Sequence, residues 1–472
     1  MTQNAPGLTE AVARFVAASG VDDFPPEAME KAKKVVADTF ACIIAGAGSE
    51  TAEPLLCYVE RAGCRGERPV LGTRVKTSPE LAAMVNGTFG HSLDFDDVLA
   101  MMPGHPSSII IAALLACMSE RHATSGRALL EAYVIGIEIG AKIGLGITNG
   151  HYDRGFHGTG TLGIFSAAAA LSKLERLDVA DIRTVIGIAS SMTSGVRRNF
   201  GTMVKPLHTG WAARNSVVAV ALARAGLSAA RDALEAKSGF FAAYGAERSN
   251  AEVAANALGR PYAIVDPGIA LKKFPCYNGS QRAMDGVLRL RQTLGFTAET
   301  LERLECRMPP GGLQVLIYPE PKTGLEAKFS LPYSLAAGVL DGAYTLATFS
   351  DAAVARPAVH ALYRKIHISE DPRCGGDDPL LATRAAGARG FVEIEAHTTD
   401  GRTETLRVDA APGHPSRELT WQEIRAKFMD CAAHGGVDAG RADHAFSALT
   451  ELETCDDVNR ILGLLTLALV QS

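Results

Sequence analysis

Residues 107–120 constrain the fold most, because this segment is apolar on nearly every side of a helix. A helix without a polar face has to be covered by other elements all round. The Ala-rich runs 167–174 and 216–225 supply small residues that let helices pack closely. Apolar residues at helical spacing also follow Pro25-Pro26-Glu27, which is typical of a helix start. We therefore expect residues 1–269 to form a large all-helical domain.

The pattern changes near residue 270, where segments with strand character begin. We predict strands at 304–308, 313–318, 391–398 and 403–408, and helices at 334–345 and 352–363. Asp400-Gly401 separates the last two strands and predicts a tight hairpin turn. Helical patterns return at 421–431 and 445–469 and should pack on the first domain. The predicted fold is mainly α, with one helical domain built from 1–269 and 409–472 and a smaller α+β domain at 270–408.

Composition excludes several classes of function. The 472 residues exceed one ordinary core and predict at least two domains. A net charge of −5 gives no basic surface for nucleic acid or an anionic membrane. The apolar runs 109–118 and 461–470 are too short to span a bilayer and indicate buried helices. Nine scattered cysteines without a CxxC pair, and an N-terminus unlike a signal peptide, favour a cytoplasmic protein with reduced thiols.

A cluster of polar residues lies between two of the apolar segments. Three carboxylates and two histidines, namely Asp94, Asp96, Asp97, His91 and His105, fall within fifteen residues. Aspartate is rarely buried unless it is paired, so the run is either a solvated loop or a site. We select Asp94 as the candidate site residue, and expect Asp96 and Asp97 to cap or brace the following turn.

The run Gly158-Thr-Gly160-Thr-Leu-Gly163 matches the GxGxxG pattern of dinucleotide sites. Such a site needs a preceding strand within a βαβ unit, whereas residues 151–157 do not have the pattern of a strand. We predict instead a glycine-rich turn that enters a helix from Thr161 onward, with His157 at its mouth. A helix start of this kind offers free N–H groups to a carboxylate.

Cationic residues occur in two further segments. Arg197, Arg198, Lys205 and His208 share a Gly/Pro-containing stretch, which is either a solvated loop or a site that holds carboxylates. Lys272 lies in the segment 271–278, which is a weak signal by itself. Together these residues suit a pocket for a small acid with several carboxylates. Cations would bind the carboxylates, and a base would remove a proton α to one of them.

In order along the chain, five motifs resemble those of the MmgE/PrpD family. They are HSLDFDDV with HPSS (91–108), GFHGTGTLGIFSAAAA (155–170), NFGTMVKPLH with AARNS (199–216), LKKFPCYN (271–278) and AKFSLPYSLAAGVLDG (327–342). The resemblance covers nearly the whole chain and implies a large helical domain with a smaller α+β lid. It also implies a homodimer that needs no cofactor, neither a metal nor an iron–sulfur cluster.

The resemblance further implies which residues form the site. The motifs DFDD, HP, GFH, KPLH and KKFP place the catalytic candidates at Asp94, His105, His157, Lys205 and Lys272. Arg197, His208 and Tyr277 are candidate substrate-binding residues. On the basis of this resemblance, His105 and His157 are the expected acid–base pair, because histidine can donate or accept a proton near neutral pH. The two lysines would neutralise carboxylates, and Asp94 would orient a histidine or act as a base.

The implied chemistry is proton removal next to a carboxylate of a di- or tricarboxylate. Our first hypothesis is a lyase of the 2-methylcitrate dehydratase type. The alternatives are an epimerase of a substituted succinate, a cis-aconitate-type decarboxylase, and a protein that binds a polycarboxylate without turning it over. Val98 follows the DFDD run where aconitate-type relatives often have Thr, and no His follows the KKFP turn. These two differences predict a substrate other than cis-aconitate.

Overall fold

The computed structural model describes residues 6–118, 123–376 and 389–467. Internal contacts divide the chain into two compact units. So far as these ranges are described, the first comprises Met1–Arg198, Met203–Ile269 and Thr420–Ser472, and the second Asn199–Thr202 and Ala270–Leu419. Residues 409–419 thus group with the second unit, whereas the sequence pattern placed the return to the helical part at residue 409.

Helices dominate the part of the first unit that precedes the second in sequence. They are α1 Leu8–Ala18, α2 Ala28–Gly46, α3 Ala52–Ala62, α4 Pro79–Ser92, α5 Pro106–Cys117, α6 Gly126–Ile147, α7 Asn149–Asp153, α8 Gly158–Leu174, α9 Val179–Ser190, α10 Val204–Arg224, α11 Phe240–Tyr244 and α12 Ala251–Ala257. Two short strands, β1 Arg68–Pro69 and β2 Lys76–Thr77, pair antiparallel between α3 and α4.

Helix α5 is the buried central helix that the sequence predicts. Every residue from Pro106 to Ala116 is buried, and α5 packs against α4, α8 and α10. The prediction for 107–120 is therefore confirmed as far as Cys117, and Glu120 lies outside the described residues.

A glycine lets α10 cross α4 at short range. A Cβ atom on Gly210 would lie 2.1 Å from Thr88 Oγ1 and 2.3 Å from Met84 O. Only a residue without a side chain fits this crossing. The close approach brings the first turn of α10, which carries Lys205, to the C-terminal end of α4.

The second unit is built on a four-stranded sheet. Its elements are α13 Gln281–Leu294, β3 Leu301–Met308, α14 Gly324–Ala327, α15 Leu331–Asp341, α16 Asp351–Val354, α17 Pro357–Leu362, β4 Ile366–Glu370, β5 Val392–Thr398 and β6 Thr403–Val408. The strand order is β4-β3-β5-β6, with β3 parallel to β4 and antiparallel to β5. Strands β5 and β6 form the predicted hairpin, with Val392 opposite Val408 and Gly401 at φ 86° in the turn. Helix α13 packs on this hairpin.

Two local predictions in this unit are wrong, and one strand was not predicted. Residues 313–315 form a turn and 316–318 are irregular, instead of the predicted strand. The Glu370 carboxylate holds this turn by accepting hydrogen bonds from the N–H groups of Gly311 and Leu313. The predicted helix 352–363 is split into α16 and α17 at Pro357, which lacks the N–H that a continuous helix needs. Strand β4 was missed, because only Ile366 of its five residues is buried and the alternation is weak.

The chain then returns to the first unit. Its last helices are α18 Trp421–His434, α19 Ala439–Thr450 and α20 Asn459–Leu465. Helix α18 packs against α2, so the C-terminal segment completes the helical core, as the sequence predicts. The predicted helix 445–469 is interrupted by a turn around Cys455, and its last two residues lie outside the described part. None of the helices in the described ranges combines the length and apolarity needed to cross a bilayer.

Candidate active site

The polar run identified in the sequence is buried and follows α4. The helix ends at Ser92, and Asp94 then takes a left-handed backbone conformation with φ 52°. Aspartate tolerates this region better than most residues, and strained backbone of this kind often occurs at functional sites. The Asp94 carboxylate is 3% exposed and accepts a hydrogen bond of 2.8 Å from Lys205 Nζ on α10. The run is therefore not a solvated loop.

The Lys205 ammonium has a second partner, the ring of His91 in the last turn of α4. Lys205 Nζ lies 2.9 Å from His91 Nε2, and His91 Nδ1 lies 2.9 and 3.1 Å from the two oxygens of Asp96. An ammonium only donates, so Nε2 accepts and Nδ1–H donates to Asp96. Ser108 Oγ donates to the same carboxylate at 2.9 Å. Burial lowers the pKa of His91 although Asp96 acts in the opposite direction, which favours this neutral tautomer.

His105 caps the N-terminal end of α5 and faces His91. Its Nδ1 lies 2.6 Å from the carbonyl oxygen of Asp97, which can only accept, so Nδ1 carries the hydrogen. In the neutral ring the lone pair is therefore on Nε2, where it can take up a proton. The ring centroids of His91 and His105 are 4.4 Å apart. This backbone contact fixes the orientation of a predicted acid–base residue.

Asp97 braces the start of α5, as the sequence predicts. Its carboxyl group receives hydrogen bonds from Ser107 N at 3.3 Å and Ser107 Oγ at 2.7 Å, and Ser107 Oγ also lies 2.7 Å from Tyr133 OH. Burial, reinforced by the neighbouring Asp96, raises the pKa of Asp97 well above its usual range. Asp97 thus holds the loop to α5.

His157 and His208 form a second histidine pair in the first unit. Their Nδ1 atoms lie 2.9 Å apart, so one ring donates and the other accepts. Burial lowers the pKa of His157 well below its usual range, and it lowers the pKa of His208 to about 4. The positive charge of Lys205 adds to both shifts. Both rings are therefore neutral near pH 7 when no anion is bound.

The glycine-rich run after His157 differs from the prediction in its boundary. Helix α8 begins at Gly158 rather than at Thr161, so the GxGxxG residues form its first turns. The element that precedes this run is the short helix α7, which fits the sequence argument against a dinucleotide fold. His157 is the residue directly before α8, as expected, and its carbonyl oxygen accepts hydrogen bonds from the N–H groups of Gly160 and Thr161.

Four residues have donor atoms close enough to hold a cation. Atoms of His91, Asp94, Asp96 and His105 lie within 4.8 Å of one another. Two of these residues already accept hydrogen bonds from the Lys205 ammonium. The Lys205 side chain therefore supplies positive charge to this cluster.

The structure brings most of the predicted site residues of the first unit together. Asp94, Lys205 and His105 are all close to His91, whose ring centroid is also 6.0 Å from that of His157. Arg197 binds Tyr152, with Nη1 2.9 Å from its carbonyl oxygen and the guanidinium 3.9 Å from its ring centroid. Its Nε is buried without a hydrogen-bond partner among the described residues.

The remaining predicted residues belong to the second unit. Lys272 is 1% exposed, and Tyr277 is half-buried with its N–H donating to Lys328 O at 3.2 Å. Gln281 lies in the stretch after the KKFP turn, where this sequence has no histidine. Its amide is committed to the backbone, because it accepts from Phe274 N at 3.1 Å and donates to Phe274 O at 2.8 Å. Gln281 therefore shapes this turn.

Sequence reasoning missed His91 and assigned Asp96 only a bracing role. A signal was available, because His91 belongs to the polar run that the sequence singled out. What the sequence could not show is that α10 crosses α4 at this turn and places Lys205 against both residues.

Comparison with known proteins finds matches along most of the chain. Residues 10–252 match the family model of the MmgE/PrpD N-terminal domain, and residues 274–451 match that of the MmgE/PrpD C-terminal domain. The chain is 28% identical over 433 residues to a cis-aconitate decarboxylase of Mus musculus, covering 89% of this chain and 86% of that protein. It is 27% identical to the Homo sapiens cis-aconitate decarboxylase, with 89% and 87% covered. It is 26% identical to the Aspergillus terreus cis-aconitate decarboxylase, with 97% and 96% covered.

Proposed function

Because this chain belongs to the MmgE/PrpD family, we propose that it is a lyase that acts on a small di- or tricarboxylate by acid–base catalysis. The reaction we put first is decarboxylation of a cis-aconitate-type acid, since the relatives that match over most of their length bear that name. The observation that carries the proposal is the buried ammonium of Lys205, which contacts the Asp94 carboxylate and the ring of His91. The rings of His105 and His157 lie near that of His91. This replaces dehydration, which the sequence alone put first.

The chemistry needs both a cation and a proton donor. Loss of CO₂ breaks a carbon–carbon bond and leaves an electron pair that is delocalised toward a neighbouring carboxylate. A proton must then be delivered to carbon to complete the product. Lys205 supplies positive charge where this enolate-like anion develops, and such preorganised charge is the largest contribution in many enzymes. His105 or His157 delivers the proton.

Substrate binding itself can cause the histidines to take up a proton. Near pH 7 the pair His157 and His208 is neutral, because burial and nearby positive charge lower both pKa values. A polyanion bound beside these rings favours their protonated form and raises their pKa values. The site therefore takes up a proton together with its substrate, and that proton is available for transfer to carbon.

Dehydration of a hydroxy-polycarboxylate of the 2-methylcitrate type is the second candidate. Val98 and the lack of a histidine after the KKFP turn support a substrate other than cis-aconitate. The resemblance implies that aconitate-type relatives often have a threonine hydroxyl at the first place and have a histidine imidazole at the second. Elimination of water starts with the same proton removal next to a carboxylate. Epimerisation of a substituted succinate, and binding without turnover, are the remaining alternatives.

Several finer features belong to the same proposal. Lys272, Tyr277 and Arg197 are proposed to contact the substrate, and the α+β unit is proposed to act as a lid for the helical unit. We also propose a cytoplasmic homodimer. These features rest on the family resemblance and on the sequence pattern.

A substrate panel tests the proposal. The purified protein is incubated with cis-aconitate, 2-methylcitrate, citrate and substituted succinates, and products are identified by NMR together with CO₂ release. Release of CO₂ from cis-aconitate supports the first reaction, and an unsaturated acid formed from a hydroxy acid supports the second. Absence of turnover for every acid would contradict the proposed catalysis, and a ligand-induced rise in melting temperature would then favour the binding alternative.

A further inference from the structure

We propose that His91 and Asp96 form a positioning pair that orients the ammonium of Lys205 toward a carboxylate of the substrate. The proposal rests on the proposed function, because Lys205 acts on a substrate only if one binds here. His91 joins Asp96 on one side of its ring to Lys205 on the other, within hydrogen-bond distance at both nitrogens.

The chain of contacts leaves His91 little freedom. The ring and the Asp96 carboxylate are both fully buried. Asp96 is itself held by Ser108 Oγ on α5 at 2.9 Å. Since Asp96 accepts from Nδ1–H, it fixes the tautomer whose Nε2 accepts from Lys205. Third residues that orient a catalytic group in this way are common in enzymes.

The lysine needs such support because its side chain is long. A free lysine samples many rotamers, and its ammonium has three donors that point in different directions. Asp94 takes one donor at 2.8 Å and His91 takes a second at 2.9 Å. Two fixed acceptors define the direction of the third N–H group. A substrate carboxylate bound beside Lys205 would therefore meet a positive charge that is held in one position.

Two substitutions separate this role from a merely structural one. His91→Asn can keep the donor toward Asp96 but does not reach Lys205. His91→Gln can place an amide oxygen near the position of Nε2, where it accepts from Lys205. We expect kcat/KM to fall by about 100-fold in the Asn variant, since a misplacement of about 1 Å can cost that much. In the Gln variant we expect a fall of less than about 10-fold.

The matched control is His151, another buried histidine of the first unit, which is bonded to Tyr244 O and Thr161 Oγ1. His151→Asn and His151→Gln are expected to change thermal stability without a comparable difference in kcat/KM. Equal losses of activity in the two His91 variants, with equal melting temperatures, would overturn the proposal. Wild-type activity in His91→Asn would also overturn it.

A milder variant covers the case in which the His91 variants do not fold. Ser108→Ala removes only the hydroxyl donor to Asp96, and we expect kcat/KM to fall several-fold at an unchanged circular dichroism spectrum. Unchanged activity would contradict the proposal. Citrate binding, measured by calorimetry in the same variants, separates the two levels of inference. If wild type neither binds citrate nor turns over any acid, the proposed function fails, whereas an active wild type with equal Asn and Gln variants refutes only the role of His91.

Discussion

The Nδ1 atoms of His157 and His208 lie 2.9 Å apart in the first unit, so the two rings share one hydrogen. Both pKa values are lowered by burial, that of His208 to about 4. The pair is therefore a buried proton acceptor whose two rings are neutral near pH 7. This relationship gives the site a measurable dependence on pH.

Stability should fall as the pH falls from about 6.5 toward 4. An unfolded histidine takes up a proton near pH 6.5, whereas His208 in the folded protein does so only near 4. The unfolded state binds more protons in this window, so the free energy of unfolding decreases, by about 2 kcal/mol at pH 5 from His208 alone. Urea unfolding of wild type and His208→Gln at pH 7 and pH 5 measures the difference. The exposed His367→Gln is the control, and an unchanged pH slope in His208→Gln would contradict the account.

Removing Lys205 should cost both stability and activity. In Lys205→Met the Asp94 carboxylate stays buried without its ammonium, and breaking a buried ion pair in this way costs about 3–5 kcal/mol. The double variant Lys205→Met/Asp94→Asn removes the unpaired charge. We expect it to recover much of the unfolding free energy but no turnover. Recovery of turnover together with stability would show that Lys205 has only a structural role.

Lys427 should stabilise the segment that carries Asp94 and Asp96. Its ammonium lies 2.7 Å from Asp38 Oδ1 and donates to the carbonyl oxygen of Phe95 at 2.7 Å, between the two aspartates that hold Lys205 and His91. We expect Lys427→Met to lower the free energy of unfolding by about 3 kcal/mol and to reduce kcat/KM. Lys33→Met is the control, because its ion pair with the half-exposed Glu30 contributes little. Wild-type kcat/KM in folded Lys427→Met would refute the link to Phe95.

The crossing of α4 and α10 should tolerate no side chain at Gly210. Gly210→Ala places a methyl group 2.1 Å from Thr88 Oγ1, and overpacking of this kind costs about 1–3 kcal/mol. The same change at Gly463 in α20 meets nothing within 4 Å and should stabilise the helix by up to about 1 kcal/mol. Thermal unfolding of both variants checks the opposite signs. Equal effects would contradict the role of this crossing in placing Lys205.

The sequence could predict elements with a strong local signal. The apolar central helix α5 and the Asp-Gly hairpin of β5 and β6 follow from periodicity and turn chemistry alone. Edge strand β4 carries mostly polar side chains, and the turn at 313–315 is held by Glu370, a residue far away in sequence. The conformation of such segments depends on tertiary contacts, and the periodicity of the sequence does not reveal those contacts.

The candidate site could likewise be predicted only in part from the sequence. Motif order identified Asp94, His105, His157 and Lys205, and the structure places these residues around His91. The role of His91 could not be predicted, because it depends on a helix crossing between residues more than one hundred positions apart. The contacts of Arg197 with the carbonyl oxygen and the ring of Tyr152 could not be predicted from the sequence either.

The most direct test uses deuterium to follow the proton that is transferred to the product carbon. Wild type and Lys205→Met are incubated with cis-aconitate in deuterated water, and the product is examined by proton and carbon NMR. The account predicts that wild type releases CO₂ and yields product with one solvent deuterium on the carbon next to a remaining carboxylate, and that Lys205→Met forms no product. Product without solvent deuterium, or wild-type turnover by Lys205→Met, would contradict acid–base catalysis at this site.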